Sequence, residues 1–444
     1  MKIKQKAQIV NKDKTSQLQI ANKDVPDHWK IVKLGDVLRE VNVRAKDLNI
    51  FETEQVPVMS LTKNKGLIPQ NERFINRVAT QDISNYKVIK KGQIVYNPFV
   101  LWEGAIYALK GRELGLTSPV YLVWEATNAE HSFLDFLLRT PQLLNEYLRV
   151  ASGVVQRRRA VRKDVFLNIK IPLPPPSEQH AIVQALQTIQ DTIQTLRNEL
   201  ALERECKAVL MQRLFTSGIN NVSLKHTLIG EIPESWKVAY LRDIIQGTPQ
   251  NGAFIKQPIM GKGTKYVNVY DIYQGTIINF KAVERMECES SYLVRYALKE
   301  SDMLFVRSSL KREGVGHCCL VRDMEESAIY DCHLIKVSPN TKVVEPLFLT
   351  YFYLSELGRN NLVAHSKTTT MTTINQNTLL DSQIPIPPLT EQRDIMHILE
   401  AYDSKIDSLY QEISLVEELF GALIEELITG RLSTIALIQA EQAS

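Results

Sequence analysis

The sequence predicts an α+β protein in which two β-rich domains, repeated in tandem, are separated by two long helices that pair as an antiparallel coiled coil. Three observations lead there: a duplication of about half the chain, a proline-rich phrase that recurs at the same place in each copy, and heptad spacing after each phrase. In chain order, residues 1–20 read as a polar segment and 21–176 as the first β-rich domain. A central helix follows over 177–218, the second β-rich domain over 219–389, a C-terminal helix over 390–431 and a tail over 432–444.

The 444 residues exceed what one core usually serves, so two to four domains are expected. Near the start, "VPDHWKIVKLGDVL" from Val25 matches "IPESWKVAYLRDII" from Ile232, placing Trp29 on Trp236. Further on, "IPLPPPSEQ" at Ile171–Gln179 matches "IPIPPLTEQ" at Ile384–Gln392, a shift of 213 residues. Two copies of this size make a duplicated domain pair; a solenoid needs several short repeats. Ahead of each phrase, short runs rich in Val, Ile and Tyr alternate with Gly, Asn and Pro, as in "KKGQIVYNPFV" and "ESDMLFVRSSL", which reads as strands and turns.

The proline phrases should be extended spacers, because proline cannot continue a hydrogen-bonded ladder and biases its predecessor toward extended backbone. Ser177 and Thr390 then fall where N-caps belong, with Glu178 and Glu391 facing the positive helix end, and Gly218 and Gly430 as stops. In the second helix Ile395, Leu399, Tyr402, Ile406, Leu409, Ile413, Val416, Phe420, Leu423 and Leu427 keep spacings of 4 and 3 throughout, a heptad seam. In the first, Ile182, Leu186, Ile189, Ile193, Leu196, Leu200, Leu210 and Leu214 do the same, but Glu203 and Lys207 interrupt them. The stripe is expected to shift there to Leu202, Cys206 and Val209. A pseudo-two-fold relation between duplicated halves would make the helices antiparallel. From Ile182 to Leu214 the seam spans roughly 48 Å at the usual helical rise.

Charge is unevenly distributed. Thr390–Arg431 holds ten acidic residues against three basic, and Ser177–Gly218 five against four. With +3 for the whole chain, the remainder carries +11, which suits a polyanionic partner. Cys206, Cys288, Cys318, Cys319 and Cys332 are an odd set, and "MKIKQKAQIV" lacks the apolar stretch of a signal peptide. A reducing cytoplasm is expected. No stretch reaches the roughly 18 apolar residues of a membrane helix.

Taken in order, two copies of P-x-x-W (Pro26–Trp29 and Pro233–Trp236), a β-rich region, the I-P-x-P-P-x-x-E-Q phrase and a long helix resemble the specificity subunit of type I restriction-modification systems. The resemblance covers nearly the whole chain; Glu203 and Lys207 depart from an unbroken seam. It implies that each β-rich region is a target recognition domain reading one half of a split, asymmetric site in double-stranded DNA, with the helices fixing the gap between halves. It also implies a non-catalytic chain that docks two methylation subunits and, with them, restriction subunits. S-adenosylmethionine, ATP and Mg would be held by those partners, and no cofactor or metal is expected on this chain.

Candidate DNA contacts follow from arginine's match to phosphate oxygens and guanine edges. The densest cluster is "QRRRAVRKD", with Arg157, Arg158, Arg159, Arg162 and Lys163. Its counterpart "SKTTTMTTINQN" offers Lys367, Thr368, Thr369 and Thr370; Arg307, Lys311 and Arg312 in "VRSSLKREG" and Asn97 and Trp102 in "YNPFVLWEG" complete the set. Three enzymatic or metal readings fare poorly. "NPFV" lacks the second proline and the final aromatic of an adenine methyltransferase motif. "GKGTK" at Gly261–Lys265 lacks the strand-to-helix setting of a cofactor loop. His317, Cys318, Cys319, Cys332 and His333 lack zinc spacing, and adjacent cysteines on a strand point to opposite faces. A coiled-coil adaptor without DNA binding is the rival reading.

Overall fold

The structure is a computed structural model that describes residues 25–434 apart from 51, 53–55, 64, 74–81, 153–158, 221–222, 257–258 and 369. It divides into two compact units, one of Met1–Thr195 with Ile413–Ser444 and one of Leu196–Glu412. Both cuts fall inside the long helices, Pro176–Ser217 and Leu389–Ile428. Each unit is therefore one β-rich domain with half of each helix.

The first unit is built on an antiparallel sheet in the order Leu38–Val41, Leu122–Ala126, Ile94–Tyr96, Ile106–Ala108. Behind it, Trp29, Tyr96, Trp124, Phe133, Phe136, Tyr147 and Phe166 form an aromatic core. Ile182, Val183 and Leu186 from the opening turns of the first long helix join that core beside Leu427 and Ile428 from the closing turns of the second.

In the second unit the main sheet runs Gln250–Asn251, Leu334–Val337, Met303–Val306, Cys318–Leu320. Both faces are covered, so alternate residues enter different cores. Met303, Phe305 and Cys318 pack with Trp236 and the helix Pro346–Leu354, whereas Leu304, Val306 and Cys319 pack with Val267 and Tyr330. Cys318 and Cys319 therefore do point apart, and burial drives both thiols up, that of Cys319 to about 12.

The repeated phrase is a strand followed directly by a helix. Lys170–Leu173 pairs antiparallel with Lys30–Lys33, setting Pro172 opposite Ile31; Gln383–Ile386 pairs with Lys237–Tyr240, setting Pro385 opposite Val238. Each ribbon has only two strands, so a missing proline N–H costs no interior ladder bond. The expected N-caps are displaced. The helices already start at Pro176 and Leu389, and the carbonyls of Pro175 and Pro388 accept from the Gln179 and Gln392 amides, both at 3.0 Å. Pro176 at the first helical position has no amide to leave orphaned, so the serine cap is not needed there; the second helix instead opens on Leu389, one residue after Pro388.

The glutamates do more than face a helix end. Trp29 Nε1 donates to Glu178 at 3.1 Å and Trp236 Nε1 to Glu391 at 2.9 Å, tying P-x-x-W to E-Q in each copy. The glutamines fasten the next helix of each domain. Gln179 Oε1 accepts from the Glu130 amide and Gln392 Oε1 from the Glu345 amide, both at 2.8 Å, while their Nε2 groups donate to the Pro174 and Pro387 carbonyls at 2.8 and 2.9 Å. Gly218 and Gly430 end the helices with φ of 68° and 75°. A side chain at Gly218 would meet Glu391 and Trp236, and one at Gly430 would meet Pro26 and Trp29, so each helix stops against the Trp–Glu junction of the other copy.

Along the helices, Ile182, Leu186, Ile193, Leu196, Leu200, Leu214, Ile395, Leu399, Ile406, Leu409, Ile413 and Leu427 are buried; Ile189, Leu210, Tyr402, Val416, Phe420 and Leu423 are half-buried. The expected shift of the first stripe does not occur. Leu202 and Val209 are 58% and 64% exposed and Cys206 is exposed, while Glu203 and Lys207 are half-buried in the seam. Ion pairs keep them there. Lys405 reaches Glu203 at 2.6 Å and Glu199 at 3.5 Å, and Lys207 pairs with Asp403. As numbers rise on one helix they fall on the other, so in this unit the pair is antiparallel.

Candidate nucleic-acid interface

Two segments picked from the sequence for different reasons meet in each unit. In the first, the loop after the Ile94–Tyr96 strand carries Asn97 and Trp102, and the Pro98 carbonyl accepts from the Val161 amide at 3.0 Å. Ser152 and Ala160 bridge each other through two backbone bonds of 3.1 and 3.0 Å, which holds Ala160, and with it Arg159, next to Val161 at that turn. Arg157 and Arg158 lie outside the described residues. Arg159, Arg162 and Lys163 are exposed; Arg162 approaches Asp164 at 3.2 Å and Lys163 pairs with Glu40. Asn97 turns its carbonyl oxygen onto the Phe99 amide at 3.1 Å, and Trp102 is half-buried against the aromatic core.

In the second unit the loop after Met303–Val306 carries Arg307, Lys311 and Arg312. The Arg307 carbonyl accepts from the Ile374 amide at 2.9 Å. A small sheet in the order Ser308–Ser309, Thr372–Thr373, Lys367–Thr368 then sets Lys367, Thr368 and Thr370 beside Lys311 and Arg312, all five exposed. Thr369 lies outside the described residues. Aligning Glu313-Gly314 on Glu103-Gly104, a shift of 210, puts Arg307 on Asn97 and Arg312 on Trp102. The two candidate segments thus occupy corresponding places in the two copies, and the second adds threonine hydroxyls.

Beside the second surface opens a 710 Å³ cleft lined by Ser308, Leu310, Lys311, His317, His333 and Met371 among others. Leu310 is 81% exposed at its rim. Ser308 Oγ and His333 Nδ1 lie 2.5 Å apart, and burial, followed by the Arg359 charge, lowers the His317 imidazole to about 4. Ser308 and Met371 were not legible as site residues, since no local pattern marks them, and His333 stood out only in the Cys/His set read for zinc; the pairing of three distant strand segments brings them together. Asp331, Cys332 and His333 also cluster. Asp331 is engaged by the Tyr266 hydroxyl and the His333 amide, and His333 by Ser308. The "GKGTK" stretch is a bulge inside the strand Ile259–Val267: Gly261 and Gly263 have φ of 100° and 91°, and a side chain at Gly263 would stand 2.5 Å from the Met286 carbonyl.

A family model described as the type I restriction modification DNA specificity domain matches residues 26–204 and again 233–418. The chain belongs to this family. Each match to the specificity domain begins at the proline of P-x-x-W and runs past E-Q into a long helix, so the Trp–Glu junction lies inside the domain. The chain is 25% identical over 422 residues to the type I restriction enzyme MjaVIII specificity subunit of Methanocaldococcus jannaschii, covering 92% of this chain and 94% of that one. It is 23% identical to the type I restriction enzyme EcoKI specificity subunit of Escherichia coli K12, over 88% and 85% of the two chains. Two solved structures share the specificity-subunit fold. A chain from a study of complex assembly and conformational transition of the type I R-M system matches with TM-score 0.57, 18% identity and coverage of 92% and 99%. The type I restriction-modification S subunit from M. genitalium matches with TM-score 0.53, 13% identity and coverage of 93% and 99%. Among the described residues no helix is long and apolar enough to cross a membrane.

Proposed function

We propose that the chain is the DNA-reading, non-catalytic subunit of a cytoplasmic type I restriction-modification complex. Each specificity domain reads one half of a split, asymmetric duplex site. The observation that carries this is the recurrence of the surface pair: in both copies the loop after a central strand is joined by a backbone hydrogen bond to the segment preceding the proline phrase. Lys and Arg side chains there bind phosphate and set position, and base edges set sequence. Arg159, Arg162, Lys163 and Asn97 serve the first half-site; Arg307, Lys311, Arg312, Lys367, Thr368 and Thr370 serve the second.

The long helices act as ruler and as dock for two methylation subunits and for the restriction subunits, which supply S-adenosylmethionine, ATP and Mg chemistry. DNA half-sites recur about 34 to 36 Å apart per helical turn, within reach of a helix pair of this length. The test is sequencing of methylated bases in cells carrying the complete system with and without this chain. A two-part asymmetric site that disappears with the chain is expected; a continuous palindrome, or methylation indifferent to the chain, would overturn the reading. Salt titration of the complex on duplex DNA should show a steep fall in affinity, which a protein-only adaptor would not.

A further inference from the structure

In the second unit one carboxylate gathers several of the polar contacts between the β-rich domain and the helix pair. Asp403, on the second long helix, pairs with Lys207 of the first. From the domain, Asp403 accepts the Tyr351 hydroxyl at 2.7 Å and the Thr276 hydroxyl at 3.2 Å. The Lys207 ammonium also lies over the Tyr351 ring, 5.1 Å from its centroid. One turn away, Arg322 of the domain reaches Glu400 at 2.9 Å. Side chains of Lys207 and Asp403 are 15% and 29% exposed, so their interaction is less screened than that of a surface pair.

At the matching place the first unit has an apolar contact instead. Matching the Glu345 and Glu130 amides held by the two glutamines gives a shift of 215 and puts Tyr351 on Phe136; the phrase shift of 213 puts Lys207 on Phe420. Phe136 and Phe420 indeed touch, edge to face, with centroids 6.3 Å apart. Apolar contact is non-directional and survives small slides, whereas a carboxylate with three donors is satisfied in one arrangement. Polar residues at seam positions fix register for the same reason.

We propose that Asp403 is a positioning residue for DNA recognition, fixing where the second domain stands on the helices and so which gap between half-sites the complex accepts. This rests on the two-half-site reading above. The bases read are set elsewhere and do not change. What changes without Asp403 is the tolerance for a wrong gap.

The experiment uses the reconstituted complex on duplexes carrying both native half-sites with the gap lengthened or shortened by one or two base pairs. Wild type methylates one gap preferentially. Asp403→Asn keeps the shape and removes the charge; it should lower discrimination against the neighbouring gaps by about ten-fold, the scale of one charge-assisted hydrogen bond, with half-site sequences unchanged. Tyr351→Phe should act in the same direction more weakly, and carries the test if the asparagine variant does not assemble. Asp403→Glu should recover part of the discrimination. Unaltered discrimination in both removal variants, or an equal loss of methylation at every gap, overturns the proposal. A wild-type complex with no gap preference would instead overturn the two-half-site reading.

Discussion

The two units share a plan, including an apolar floor of helix residues under each domain, but differ in chemistry at one joint between domain and helices. The first uses aromatic and aliphatic contact, Phe136 on Phe420 with Leu423 and Ile424 packed alongside. The second adds to its apolar contacts, Phe215 on Phe348 and Phe352, the polar set Lys207, Asp403, Tyr351 and Arg322. Duplication supplied the same geometry twice, and the difference shows that the joint needs a fitted pair of side chains rather than a particular chemistry. An apolar seat draws on area removed from water; an ionic seat draws on geometry and partial desolvation, which gives specificity more readily than stability.

The largest expected effect removes a feature the units share. Trp236→Ala empties a fully buried site and strips Glu391 of its indole donor, and should destabilise the second unit by about 4 kcal/mol. Trp29→Ala should do the same to the first, and denaturant unfolding of both variants shows whether the units unfold separately. Acid separates the units next. His317 is held near 4 in the folded state against about 6.5 in the unfolded chain. The unfolded chain then binds more protons between those values, so stability falls as pH drops from 6.5 towards 4, by up to about 3 kcal/mol. The first unit has Tyr107 at the matching position, and His317→Phe should flatten the profile of the second.

A smaller effect probes the seats themselves. Lys207→Ala should cost about 2 kcal/mol, because Asp403 is left half-buried without its cation, and the loss should shrink in high salt. Phe420→Ala should cost about as much at any ionic strength. If both respond to salt alike, the contrast between the seats is wrong. The smallest effect is Gly218→Ala or Gly430→Ala, about 1 kcal/mol from a left-handed backbone. Gly430 should exceed Gly218, since its new methyl would press on the rigid Pro26 ring, whereas the nearest atom at Gly218 is a carboxylate oxygen on a longer side chain.

The duplication, both long helices and their glycine stops were legible because they rest on local period and on residues with one backbone use. The role of the phrase E-Q was not: its partners Trp29 and Trp236 lie about 150 residues away, beyond any local pattern. The same holds for Glu203 and Lys207. Read alone they break a stripe and invite it to shift onto Leu202, Cys206 and Val209; only the opposing Lys405 and Asp403, some 200 residues on, make charge acceptable in the seam. At the candidate interface the sequence named the basic loops, while pairing of Ser308–Ser309 with Thr372–Thr373 added Ser308 and Met371, and pairing of Met303–Val306 with Leu334–Val337 brought His333 to them.

The way the long helices cross between units also has a consequence for synthesis. The first unit's core includes Leu427 and Ile428, its Trp29 is covered from Gly430, and Glu178 receives the Thr434 hydroxyl at 3.1 Å. The second unit is complete once Glu412 has been made. Chain growth from the N-terminus therefore finishes the later domain first, and the earlier one waits, with part of its apolar floor open, for nearly the whole chain to emerge. A nascent chain stalled before Leu427 would carry a closed second domain and an unsealed first one, so premature termination exposes a sticky surface at the opposite end of the sequence from the defect.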